Sequence, residues 1–192
     1  MTIKHRDEHG SRKGELFETE LTIFRALDLK ENEAIEIHRG EDIDIISYNE
    51  SNIEVHRTLE QAKHKSKRIT LRSKEVVISI SNYLEHLSTG LWPNINFMLT
   101  TDAEVGKEKE ESIKEKGIDV WRKIQSDKTL TSYQRSEYCD NIREILLTSN
   151  YPKMLKVKGE KAEKQFEDFL QKSSNEQFSE AVSYTHLTLP TN

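Results

Sequence analysis

The sequence predicts an α/β fold. Three observations carry this. Apolar residues recur every three or four positions in several long blocks, as on amphipathic helices. They alternate with polar residues in shorter blocks, as on strands with one buried face. The two kinds of block interleave along the chain instead of segregating. Charged residues are 33% of the chain and the hydrophobic set 34%, yet this patterning separates it from a disordered chain of similar polarity.

The elements follow in order. "GELFETELTIFRALDL" (14–29) spaces Leu16, Phe17, Leu21, Ile23, Phe24 and Leu27 as a helix does. "AIEIHRGEDIDIISY" (34–48) alternates at Ile35 and Ile37, then at Ile43 and Ile45, around Gly40. It reads as two short strands or one bulged strand. "NESN" (49–52) is a turn, and 51–64, with Ile53, Val55 and Leu59, is the next strand. In 73–90, Val76, Val77, Ile80, Tyr83, Leu84 and Leu87 give a helix, with Ser73 as N-cap and Gly90 as stop. "INFMLTT" (95–101) is a buried strand, 104–117 a charged helix and "IDVW" (118–121) a short strand. Residues 131–149 and 159–173 are two more amphipathic helices.

Composition narrows the function. The net charge of -5 argues against coating nucleic acid by bulk charge, though a local basic strip can still bind phosphate. Cys139 is the one cysteine, which excludes a disulfide framework and a cysteine zinc site. It reads as a small buried residue. Nothing approaches the roughly 20 apolar residues of a membrane span, and "MTIKHRDEHGSRKG" lacks the apolar core of a secretion signal. A cytoplasmic location is expected. "HRDEH" (5–9) has two histidines four apart but no third ligand near. Trp92 and Trp121 read as packing residues.

One constellation carries chemistry. Alternation puts Asp42 and Asp44 on one strand face, and Gln61 and Lys63 on one face of the next strand. A tight turn between the strands lets the two ends lie side by side. Carboxylate and carbonyl oxygens hold a hard cation such as Mg²⁺, which polarises a phosphoryl oxygen. A lysine beside them meets developing negative charge. Glu18, on the preceding helix, is placed to complete the metal shell.

These residues resemble the PD-(D/E)xK nuclease superfamily in its variant with Gln for the acid. The nearest members are Mrr-type enzymes and the CD-NTase-associated DNA endonucleases of bacterial anti-phage (CBASS) systems. Gly14, Phe17 and Glu18 match a G-x-x-[FY]-[EQ] helix, Gly40 to Asp44 a G-x-D-x-D strand, and Gln61, Ala62 and Lys63 a Q-x-K strand. "NFMLTTDA" matches a buried strand ending in Thr. The resemblance spans roughly residues 14 to 105. It implies a restriction-endonuclease-like core, a mixed central sheet flanked by helices, with a helical C-terminal part. It makes Asp44 the central metal ligand, with Gln61 and the Ala62 carbonyl as the second, Glu18 assisting and Lys63 catalytic. Asp42 shares the face of Asp44, so the choice between them stays open. The resemblance also implies Mg²⁺ as cofactor, with Mn²⁺ as substitute, and double-stranded DNA as substrate. "GIDVW" (117–121) imitates the acidic strand, but no Q-x-K follows, so Asp119 is set aside.

A basic strip leaves this motif. "KHKSKRITLRSK" (63–74) holds Lys65, Lys67, Arg68, Arg72 and Lys74 and no acid, as a wall contacting phosphates requires. The expectation is a Mg²⁺-dependent DNA endonuclease, the effector of an anti-phage protein. The alternatives are an inactive nuclease-fold interaction module and an RNA-directed nuclease. The expected layout is a flexible 1–13, a nuclease domain over 14–150 and a helical extension or second-domain start over 151–180. The resemblance also implies a following sensor or NTPase module and homo-oligomerisation through it. "VSYTHLTLPT" (182–191) resembles the translation of a sequencing-library adapter, so 181–192 is expected to lie outside the fold and the natural chain to run on.

Overall fold

A computed structural model describes residues 8–92, 94–108 and 117–186. It is an α/β protein built on a sheet of order β1-β2-β3-β4-β5. Helix α1 (Glu8–Leu27) precedes β1 (Glu33–Ile37), β2 (Ile43–Tyr48) and β3 (Glu54–Lys63). Helix α2 (Lys74–Thr89) crosses over to β4 (Ile95–Thr101). Then come α3 (Gly117–Ser126), α4 (Ser132–Leu147), α5 (Tyr151–Leu155), α6 (Glu160–Lys172), α7 (Asn175–Glu180) and β5 (Ser183–His186). β1, β2 and β3 form antiparallel ladders, whereas β3–β4 and β4–β5 are parallel, so the sheet is mixed. A parallel pair needs a long connection, and α2 supplies it between β3 and β4.

Alternation along β3 divides the core. Leu59 joins the larger cluster, which gathers Val76, Val77 and Ile80 of α2 with Phe97 and Leu99 of β4. Ala62 joins a smaller cluster with Phe17 and Leu21 of α1 and Ile43 of β2. Helix α1 therefore covers one sheet face and α2 the other. Leu155, Phe166, Leu170 and Phe178, from α5, α6 and α7, lie in the larger cluster, so residues 151–180 share the core built on β3, β4 and α2.

Several elements follow their local chemistry. The turn at 49–52 is held by Asn49, whose side chain accepts from the Ser51 and Ile53 amides, while Asn52 takes φ 56°. α2 ends at Gly90, at φ 62°, where glycine pays no Cβ penalty. Ser73 stands at the N-cap position, but its hydroxyl accepts from Thr70 N and caps nothing. Thr131 and Gln134 form a capping box that starts α4.

Three expectations are corrected. "IDVW" is helical, because Ile124 continues the spacing of Ile118 and Trp121 and all three are buried. Residues 104–108 are not helical: Val105 bridges to Ile69, and Gly106 N donates to Ile69 O. The rest of that expected helix, 109–116, lies outside the described residues. α1 begins at Glu8, so 8–13 are helical. Residues 183–186 pair with the open edge of β4, and Ala181 and Val182 before them are buried. Their Thr and Tyr content suits a strand.

Candidate active-site cleft

Register decides which acid reaches the motif on β3. Ile43 faces Glu60 in the ladder, so Asp42, one residue earlier, stands beside Gln61. Asp42 Oδ2 accepts from Ala62 N at 2.8 Å and from Lys63 Nζ at 3.1 Å. Gln61, Ala62 and Lys63 line a cleft of about 530 Å³ with Glu18, His64, Lys65 and Lys74. Glu18 enters from α1, on the sheet face opposite to α2. Arg25 ties that helix down: its guanidinium grips buried Glu60 of β3 at 2.7 and 2.8 Å, and this carboxylate raises the arginine's pKa.

Asp44 is not with them. It is 0% exposed. Its carboxylate accepts from Gly40 N at 2.9 Å, Glu41 N at 3.0 Å and Arg57 Nη1 at 2.8 Å. Arg57 also binds Glu36 and Glu54 and lies 5.0 Å over the Trp92 ring. Three carboxylates raise its pKa further, the Glu54 hydrogen bonds most of all. Asp44 is thus the anchor of a buried ion network. Gly40 permits it: a Cβ there would meet Leu59 Cδ2 at 2.6 Å and Asp44 Oδ2 at 2.9 Å.

Gln61 lines the cleft but is only 6% exposed. Its Oε1 accepts from Ser79 Oγ at 2.7 Å, and its Nε2 donates to Glu41 at 3.3 Å. Glu41 also receives Asn82 at 2.9 Å and meets His86 Nε2 at 3.0 Å. This network pins the β1–β2 connection to α2.

The basic strip is partly spent. Lys65 pairs with Glu75 at 2.5 Å, Arg68 with Glu104 at 2.9 Å, and Arg72 donates to Thr148. Lys67 and Lys74 are exposed and make no ion pair among the described residues. Both line an adjoining cleft of about 460 Å³ that shares Lys65, Lys74 and Glu75 with the first.

Two histidines and an aspartate were not singled out in the sequence. His64 Nδ1 lies 2.5 Å from Asp102 Oδ2. The parallel register that pairs Lys63 with Thr101 sets the following residues, 64 and 102, side by side, and that was the available signal. His38 Nε2 lies 3.3 Å from Glu18 Oε1. Its signal was a titratable residue two positions ahead of Gly40. Asp119, set aside earlier, sits on α3 and pairs with Arg122. Trp121 is buried against Phe178.

No helix among the described residues is long and apolar enough to cross a membrane. Comparison with family models, curated proteins and solved structures finds no match to this chain.

Proposed function

We propose that this cleft is the active site of a metal-dependent endonuclease that hydrolyses phosphodiester bonds of double-stranded DNA, as the effector of a bacterial anti-phage protein. The observation that carries the reading is the grip of Ala62 N and Lys63 on Asp42, at a cleft that Glu18 also lines. The mixed sheet, with α1 on one face and α2 on the other, supports a restriction-endonuclease-like core.

The metal role that resemblance gives to Asp44 passes to Asp42. Asp44 is fully buried and already committed to three donors, one of them the Arg57 guanidinium, so an incoming ion would have to displace them. Glu18 and Asp42 offer carboxylate oxygens, which suit Mg²⁺ or Mn²⁺. Held by these carboxylates, such an ion would supply Lewis-acid polarisation of a phosphoryl oxygen. Lys63 orients Asp42 and sets a compact positive charge where negative charge develops. The Ala62 amide fixes the same carboxylate, so two donors hold its rotamer. Lys67 and Lys74, exposed along the adjoining cleft, would contact the DNA backbone. Gln61 holds the connection that carries Asp42 and acts through it.

Supercoiled plasmid with Mg²⁺ or Mn²⁺ tests this. Wild type nicks or linearises the plasmid, and Lys63→Ala and Asp42→Ala each lose about 100-fold in rate, the usual scale for losing one charge-stabilising group. Equal cleavage by wild type and Lys63→Ala sinks the proposal. Faster cleavage of RNA under the same conditions redirects it to RNA.

One observation favours a second reading. Both ends of the Gln61 amide are held by protein partners, as in a structural residue. A nuclease-fold interaction module then binds DNA without cutting it. DNA retention that Lys67→Glu abolishes, with no cleavage in either metal, supports that reading.

A further inference from the structure

The β1–β2 connection carries an imidazole to Glu18, an acid of the cleft lining. His38 holds φ 58°, a left-handed backbone that non-glycine residues seldom take. Such outliers gather at binding sites. The turn is closed by His38 N donating to Asp42 O at 3.3 Å. It sends the His38 side chain toward α1, where Nε2 meets Glu18 Oε1 at 3.3 Å. Donor atoms of Glu18, His38 and Asp42 all lie within 4.8 Å of one another. Metal bonds of about 2.1 Å set neighbouring ligands roughly 3 Å apart, so small rotamer changes close the triangle on one ion. Asp42 is already held by Ala62 N and Lys63, as ligating carboxylates are. His38 is 67% exposed and Glu18 26%, which leaves an entry path.

We propose that Glu18, His38 and Asp42 form a site for a divalent transition-metal ion, selective against Mg²⁺. The imidazole decides the selectivity. Mg²⁺ takes oxygen ligands and keeps its waters, so a nitrogen donor adds little to its binding. Mn²⁺, Co²⁺ and Zn²⁺ accept imidazole, with affinity rising along that series. The proposal rests on the nuclease reading for what the ion does, and on the three side chains alone for its binding.

Tag-free protein is titrated with Co²⁺ by visible absorption, with Mn²⁺ by electron paramagnetic resonance and with Mg²⁺ by calorimetry. Wild type binds one Co²⁺ or Mn²⁺ at least tenfold more tightly than Mg²⁺. His38→Gly, which suits the φ of 58°, loses that preference and keeps its Mg²⁺ affinity and its melting temperature. His38→Asn, with an oxygen in place of the imidazole, also brings Mn²⁺ and Mg²⁺ toward parity. Glu18→Ala weakens all three ions. Equal wild-type affinity for Mn²⁺ and Mg²⁺, or unchanged Co²⁺ binding in His38→Gly, overturns the site. Plasmid cleavage is read separately. Histidine-dependent Co²⁺ binding without cleavage in any metal leaves the site and removes the nuclease. Cleavage in Mg²⁺ that His38→Gly leaves untouched, with no transition-metal preference, does the reverse.

Discussion

Lys63 forms its ion pair with Asp42, at 3.1 Å, and the acid two residues further along the chain takes no part in it. Asp42 and Asp44 differ by two positions and share a motif, yet one is part-exposed and bonded to cleft residues and the other is sealed.

That difference separates stability from activity. Asp44→Ala leaves Arg57 short of one buried partner and strips the Gly40 and Glu41 amides of their acceptor. It destabilises by about 3 to 5 kcal/mol, as breaking a buried ion pair does. Asp42→Ala stays within about 1 kcal/mol of wild type, because Asp42 is part-exposed and its partners can meet water. Urea unfolding of both variants checks this, and the reverse order would refute the assignment of roles.

The same network sets an acid limit. Hydrogen bonds from Arg57 hold the Glu36 and Glu54 carboxyls below the ordinary value of 4.5. Their pKa is depressed in the folded state, so the stabilisation is complete above about pH 4.5 and fades as pH falls through the lowered values. Glu54→Gln flattens that fall. The observable is the urea midpoint measured from pH 6 to pH 3.

Gly40→Ala forces a Cβ between Leu59 and Asp44. Overpacking of this kind costs about 1 to 3 kcal/mol. Because the residue lies two positions from Asp42, the variant also loses cleavage at temperatures where it is still folded. A melting curve identical to wild type would show that the neighbours yield without cost.

Cys139 is buried, and burial pushes its thiol pKa up. The thiolate is the reactive form, so a disulfide reagent modifies Cys139 only as the protein opens. Native protein reacts more slowly than urea-unfolded protein by about the ratio of folded to unfolded chains. Rapid labelling in the native state would contradict the packing of α4.

Long periodic segments were legible. The spacing over 14–29, 73–90, 131–149 and 159–173 returns as α1, α2, α4 and α6, the alternating runs return as β1 to β3, and the apolar run at 95–101 returns as β4. Short segments were not. α5 and α7 hold five and six residues, too few for a helical period to show. "IDVW" misled because the window closed before Ile124. Alternation grouped Asp42 with Asp44 and Gln61 with Lys63, but Asp42 lies just before β2 begins at Ile43, where strand alternation does not govern it. It could not say which acid is sealed, because the sealing group, Arg57, arrives from the next strand, 13 residues away. The basic strip was visible as composition. Its partial neutralisation by Glu75 and Glu104 depends on tertiary placement and was not.

Consecutive residues of the β1–β2 connection serve different neighbours. His38 turns to α1, Glu41 to α2, Asp42 to β3, and Gly40 leaves room for Asp44. Surface connections usually tolerate a residue more or less. This one does not: removing or inserting a single residue between His38 and Asp42 would hand each side chain the position of its neighbour. Among distant versions of this protein, the number of residues here should vary less than their identities.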